Sequence, residues 1–185
     1  MKEECLIKIA KIIAEVESNS FQYAIRFEPH IYIFLKNRKN PQILKKIVEL
    51  NKCSYETAKM IYSSSWGMYQ IMGFNIYMKG YYKSIGEFLA SKDEQYNVLQ
   101  EFLKQFWIKY NCEALFSAIE TVYNQVKNLT GKKRIDNVEI VVKRFQIIKD
   151  FVKFYNGAKF PDPRSLDYIL RMLYAYQKIK QEVMI

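Results

Sequence analysis

The chain has 185 residues, half of them hydrophobic, a length that favours one domain with a helical core needing no covalent staples. Lysine and arginine outnumber aspartate and glutamate by 29 to 19, and the formal charge of +10 asks for an anionic partner without choosing among nucleic acid, an anionic membrane face and an acidic cell wall. Three scattered cysteines with no CxxC pair argue against a disulfide framework and a zinc site, and the single histidine, His30, excludes a histidine metal cluster.

Leu6, Ile9, Ile12, Ile13 and Val16 recur at helical spacing with Lys8, Lys11 and Glu15 between them, which predicts an amphipathic helix over residues 3–16. Ser18-Asn19-Ser20 breaks it. Charges interrupt this N-terminal stretch, so it lacks the unbroken apolar run of a secretory signal, and no segment approaches the roughly 18 to 20 apolar residues of a membrane span. Synthesis in a reducing cytoplasm without a signal peptide is the expectation. A second helix is predicted over 41–50, opened by Pro41, and a short third over 54–62. From Ser63 to Gly73 the chain is rich in Ser and Gly, but Trp66, Tyr69 and Ile71 mark it as something other than a solvated linker.

Further on, Ser84 to Glu87 and Asp136 to Glu139 have capping-box spacing and are read as helix starts. Residues 93–109, 112–127 and 138–155 have helical apolar periodicity, and residues 128–137 (NLTGKKRIDN) read as an exposed basic linker. Pro161-Asp162-Pro163 ends one segment, and a last helix is predicted over 164–180. Alternating Val/Ile/Thr runs are almost lacking, so sheet content should be small. With no repeat, no low-complexity tract and no composition boundary, the reading is a mainly α, single-domain chain over 1–185 with little or no sheet.

Glu17 stands where the first helix ends. A carboxylate there faces the negative end of the helix dipole, and partial burial under aromatics such as Phe21 or Tyr69 would act in the same direction, both disfavouring ionisation. A general acid that protonates a leaving oxygen near neutral pH needs that bias. On spacing alone, the plainer reading of an ordinary surface glutamate is favoured.

Three motifs change the balance. Glu17-Ser18, the stretch from Ile25 to His30 (IRFEPH) and above all the thirteen residues from Ser63 to Asn75 (SSSWGMYQIMGFN) resemble the N-acetylmuramidase family of phage endolysins and related bacterial enzymes. Phe154-Tyr155-Asn156-Gly157 is similar to that family's Tyr-Asn-Gly segment and to the Tyr-Asn motif of lytic transglycosylases. The motifs occur in the family's order. What the resemblance implies is a lysozyme-like fold and hydrolysis of the β-1,4 bond between N-acetylmuramic acid and N-acetylglucosamine. The catalytic acid then falls on Glu17 and the second carboxylate on Glu28, the two differently charged carboxyls that glycoside hydrolysis usually requires. A structural Glu28, bonded to backbone or to Arg26, is the open alternative.

Ser65, Trp66, Gln70 and Asn75 are then read as substrate-binding residues of a cleft wall, with core packing as the rival role for Trp66 and the favoured one for Ile71. An indole face stacks on a sugar ring, Gly67 lets backbone approach the saccharide, and Gln70 can bond an acetamido group. Tyr155 and Asn156 would border the scissile bond, with helix-end packing as the rival role for Tyr155, and His30 would support its loop by hydrogen bonding. No metal and no cofactor is implied. The expected partner is a peptidoglycan glycan strand, met by a monomer that neither binds nucleic acid nor inserts stably into a membrane, and that reaches the bacterial cell wall after a separate permeabilising event. The alternatives are a lytic transglycosylase on the same bond, or a non-catalytic basic helical protein binding glycan or nucleic acid through Lys127, Lys132, Lys133, Arg134, Lys143 and Arg144. A third is membrane disruption by residues 164–180, whose apolar stripe core packing explains equally well.

Overall fold

In the computed structural model, which describes residues 3–37 and 41–182, helix α1 (Glu3–Ser18) buries Leu6, Ile9, Ile12, Ile13 and Val16, the residues whose spacing predicts it. The order continues β1 (Ile25–Phe27), α2 (Pro29–Asn37), α3 (Pro41–Asn51), α4 (Tyr55–Tyr62), β2 (Ser64–Trp66), β3 (Ile71–Met72), α5 (Gly73–Met78), α6 (Ile85–Ala90) and α7 (Lys92–Trp107). It ends with α8 (Cys112–Val126), α9 (Gly131–Val142), α10 (Gln146–Asn156) and α11 (Pro163–Glu182). Of the described residues, 73% are helical, with one small three-stranded sheet, so the mainly α expectation holds. Contacts divide the chain into two compact units, one of residues 17–104 and one of residues 1–16 with 105–185, the boundaries falling within α1 and α7.

The unit of residues 17–104 is built on α3 and α4, which pack on each other and on α5 around Leu44, Ile47, Ala58, Ile61 and Ile76. Tyr77, Tyr81 and Phe88 form an edge-to-face ladder, with centroids 6.1 and 5.5 Å apart, that joins α5 to α6. Asn51 ties the end of α3 to both, donating to the Tyr77 hydroxyl at 2.9 Å and accepting from the Ile85 amide at 2.7 Å. Ser54 caps α4, and Ser84 with Glu87 closes the predicted capping box on α6. The sheet has order β1-β2-β3, antiparallel throughout, with Ile25 opposite Trp66, Arg26 opposite Ser65 and Ser65 opposite Met72. Helices α2 and α5 and this sheet are additions to the predicted elements.

In the other unit, α8, α9, α10 and α11 pack around Val122, Val126, Val138, Val142, Ile148, Phe151, Ile169, Met172, Leu173 and Tyr176. Of the apolar stripe on α11, Ile169 and Leu173 are buried in the core, Leu166 and Leu170 are half-buried and Tyr174 is exposed. Among the described residues, no helix is long and apolar enough to cross a membrane. Arg171 of α11 donates to the Val16 carbonyl at 3.0 Å, supplying a cation to the last turn of α1, which has no basic residue of its own. The expected basic linker is corrected here. Residues 131–142 are helix α9, because Val138, Val141 and Val142 share one buried face while Lys132 and Lys133 stay in solvent. Asp136 and Glu139 consequently lie inside α9 instead of opening a helix, and the predicted 138–155 helix is broken at residues 143–145.

Asp150, on α10, accepts hydrogen bonds from Lys109 Nζ (2.7 Å), Tyr110 Oη (2.6 Å) and Gln146 Nε2 (2.6 Å). The Lys109 bond above all, then the Tyr110 bond, holds its carboxyl down at about 2. The ionised form is thus favoured by folding. Its stabilisation is complete above the unfolded value of about 4 and is lost as pH falls through about 2. Asp150→Asn is expected to lower unfolding stability at neutral pH by less than about 1 kcal/mol, since solvent screens the group. Urea melts of both proteins should draw together as pH falls from about 4 and converge below about pH 2; a pH-independent gap would contradict this.

Candidate active site

Glu17 is half-buried in the last turn of α1. The chain leaves that turn through two consecutive left-handed residues, Asn19 (φ 51°) and Ser20 (φ 61°), with the Phe21 amide returning to the Ser18 carbonyl at 3.1 Å. Asparagine tolerates this backbone region better than serine, and glycine better than either. Ser18 Oγ donates to the Met68 carbonyl at 2.8 Å, which fastens the end of α1 to the turn between β2 and β3.

That turn spans Gly67 to Gln70. The Gly67 amide donates to the Ala24 carbonyl at 2.8 Å, and the Gln70 amide donates to the Gly67 carbonyl at 3.1 Å. Gly67 (φ 75°) and Gln70 (φ 49°) both take left-handed backbone. Ser65 and Gln70 are 1% and 9% exposed and bonded to each other: Ser65 Oγ donates to Gln70 Oε1 at 2.9 Å, and Gln70 Nε2 donates to the Gly67 carbonyl at 3.0 Å. Their side chains close the hairpin from inside. Trp66 is half-buried, and its Nε1 donates to the Ile61 carbonyl at 2.9 Å, so the indole is pinned to the end of α4. Asn75 is half-buried on α5, directly after the hairpin.

Glu28 precedes α2. Its amide donates to the Ser63 carbonyl at 2.9 Å, and its carboxylate accepts from Arg26 Nε at 2.6 Å. His30 Nδ1 lies 3.8 Å from the other Glu28 oxygen, too far for a hydrogen bond. Arg26 pairs with Ser65 across the sheet, so backbone pairing ties the Glu28 segment to the same hairpin as Ser18. Tyr155 and Asn156 belong to the other unit, where they close α10. The Tyr155 ring stacks on Phe151 at 5.8 Å, and exposed Asn156 precedes Gly157, a left-handed cap at φ 79°.

Two features of this region were not read from the sequence. One is a row of apolar residues facing solvent on the segment after Glu17: Phe21, Tyr23, Ile25 and Phe27 are 58%, 54%, 55% and 42% exposed. Exposed apolar rows of this kind mark binding surfaces. Their strict alternation was the available signal. The other is Gln95 of α7, which is fully buried and bonded to the hairpin turn; no local sequence pattern announces it. Among the described residues, no group of three or more His, Cys, Asp or Glu is arranged to hold a metal ion.

A match to the family described as N-acetylmuramidase covers residues 44–180, a stretch that begins after Glu17 and Glu28. The endolysin of Enterobacteria phage PRD1 is 43% identical over 110 residues, covering 57% of this chain and 74% of the phage protein. No solved structure matches the chain at a significant level.

Proposed function

Because this chain belongs to the N-acetylmuramidase family, peptidoglycan-hydrolysing glycosidases, we propose that it cleaves the β-1,4 bond between N-acetylmuramic acid and N-acetylglucosamine, with Glu17 as general acid. The observation that carries the assignment is the Ser18–Met68 hydrogen bond, which joins the Glu17 end of α1 to the Trp66 hairpin. Arg26-paired Glu28 is given the role of negatively charged partner, as base or stabiliser of the oxocarbenium-like transition state. The exposed row at Phe21, Tyr23, Ile25 and Phe27, with Trp66 and Asn75, supplies the surface for sugar rings. Ser65 and Gln70, internally bonded, act by holding the hairpin, and His30 by supporting the Glu28 segment. Tyr155 and Asn156 are kept as substrate-binding residues on the likeness of their motif alone.

In this reading residues 1–185 form one catalytic domain that works as a monomer, without metal or cofactor, as an endolysin on the bacterial wall. Digestion of purified peptidoglycan followed by mass analysis of the product ends tests it. Reducing muramic acid ends are expected. Anhydro-muramic ends would make the protein a lytic transglycosylase, and a salt-sensitive shift of DNA with no wall digestion would favour the nucleic-acid reading.

A further inference from the structure

Gln95 is 0% exposed, on the first half of α7. Its Oε1 accepts from the Met68 amide at 2.8 Å, and its Nε2 faces the carbonyls of Gln22 (3.2 Å), Leu89 (3.2 Å) and Phe88 (3.3 Å). One side chain therefore serves backbone groups from three separate segments: the turn after α1, the hairpin turn and the end of α6. Gln22 reinforces the junction, its own Nε2 donating to the Leu89 carbonyl at 2.8 Å. The residue opposite is fitted to it as well, since a Cβ on Gly67 would stand 2.4 Å from Gln95 Oε1.

Met68 is thus held through both of its backbone groups, its carbonyl by Ser18, next to Glu17, and its N–H by Gln95. Only a side chain with an acceptor at one end and a donor at the other satisfies this set. Leucine would leave every one of these backbone groups without that partner, and a carboxylate would turn a second oxygen toward three carbonyls. We propose that Gln95 is a positioning residue, which sets the hairpin turn against the end of α1 and so holds Glu17 in register with the bound glycan strand. This rests on the reading of Glu17 as proton donor.

The test compares wild type with Gln95→Leu, Gln95→Glu, Ser18→Ala and Glu17→Gln on soluble peptidoglycan fragments, well below each melting temperature. Folded Gln95→Leu is expected to lose about 30-fold in kcat with KM changed less than about 3-fold, because a small displacement of a reacting group costs rate more than binding. Gln95→Glu should show a pH signature that a purely structural role would not. Its deficit should shrink as pH falls and a protonated carboxyl regains an O–H donor toward the carbonyls. Ser18→Ala should lose about 10-fold in kcat, and its combination with Gln95→Glu should lose less than the product of the single effects, as expected for side chains gripping the backbone of one residue.

Should Gln95→Leu fail to fold, the Gln95→Glu profile and the double variant decide alone. Wild-type kcat in the folded Gln95 variants, a pH-independent deficit or multiplicative losses would overturn the proposal. If Glu17→Gln is inactive while the Gln95 variants match wild type, only this inference fails. If Glu17→Gln stays active, the Glu17 reading fails and takes the inference with it.

Discussion

Glu17→Gln is expected to reduce peptidoglycan hydrolysis by about 100- to 10,000-fold, the range that loss of a positioned general acid produces. The substitution keeps the size of the side chain and its capacity for hydrogen bonding. It removes the proton that would pass to the leaving oxygen. Glu17 is half-buried at the end of a helix whose core face is made by other residues, so the melting temperature should hardly move. The diagnostic pattern is a fall in kcat at unchanged stability, with KM near the wild-type value. A comparable loss of stability would assign Glu17 a structural role instead. Glu28→Gln, which also gives up the 2.6 Å charge-assisted bond from Arg26, would be expected to alter both activity and the Glu28 segment.

Gly73→Ala, at the first residue of α5 directly after the hairpin, is expected to have a large effect on stability. A Cβ at Gly73 would lie 1.9 Å from the Ile61 carbonyl oxygen and 3.2 Å from Trp66 Nε1, and that oxygen accepts the indole hydrogen bond. The obstacle is backbone, which cannot swing aside as a long side chain would. Either α5 shifts away from α4 or the Ile61 carbonyl turns and releases the indole. A cost of about 3 kcal/mol or more is expected, equivalent to a fall of about 6 to 12 °C in Tm for a chain of this length. Trp66 should become more solvated, which its fluorescence would register. Gly86→Ala is the control. A Cβ there meets only Ser84 Oγ at 3.9 Å, so the helical position should accept alanine with little change or a small gain. Equal melting temperatures for the two variants would contradict the packing argument.

Residues whose role is local were the legible ones. Helix α1 follows from five apolar side chains at helical spacing, and α6 from Ser84 and Glu87, whose mutual bonds lie within one turn. Helix α9 was misread because Lys132, Lys133 and Arg134 dominate its first turn, although Val138, Val141 and Val142 already had helical spacing. The sheet was missed for a different reason. Its strands are two and three residues long and pair Ser with Arg and Trp with Ile, so the β-branched alternation that usually reveals strands is lacking. Within the candidate site, the hairpin motif was legible as a motif. The inward role of Ser65 and Gln70 was not, since it depends on which face of a tight turn each side chain takes. Gln95 was out of reach altogether: its partners are backbone atoms as far as 73 residues away, and backbone atoms leave no residue-type signature.

The central claim is that Glu17 supplies a proton to the departing sugar oxygen, and a leaving-group comparison tests it most directly. Glu17→Gln would be presented with a muropeptide glycan and with the corresponding dinitrophenyl glycoside, whose phenolate departs without protonation, and first-turnover release would be measured for each. The account predicts a deficit of about 1,000-fold on the natural sugar leaving group that shrinks to less than about 10-fold on dinitrophenolate. An equal deficit on both substrates would contradict it.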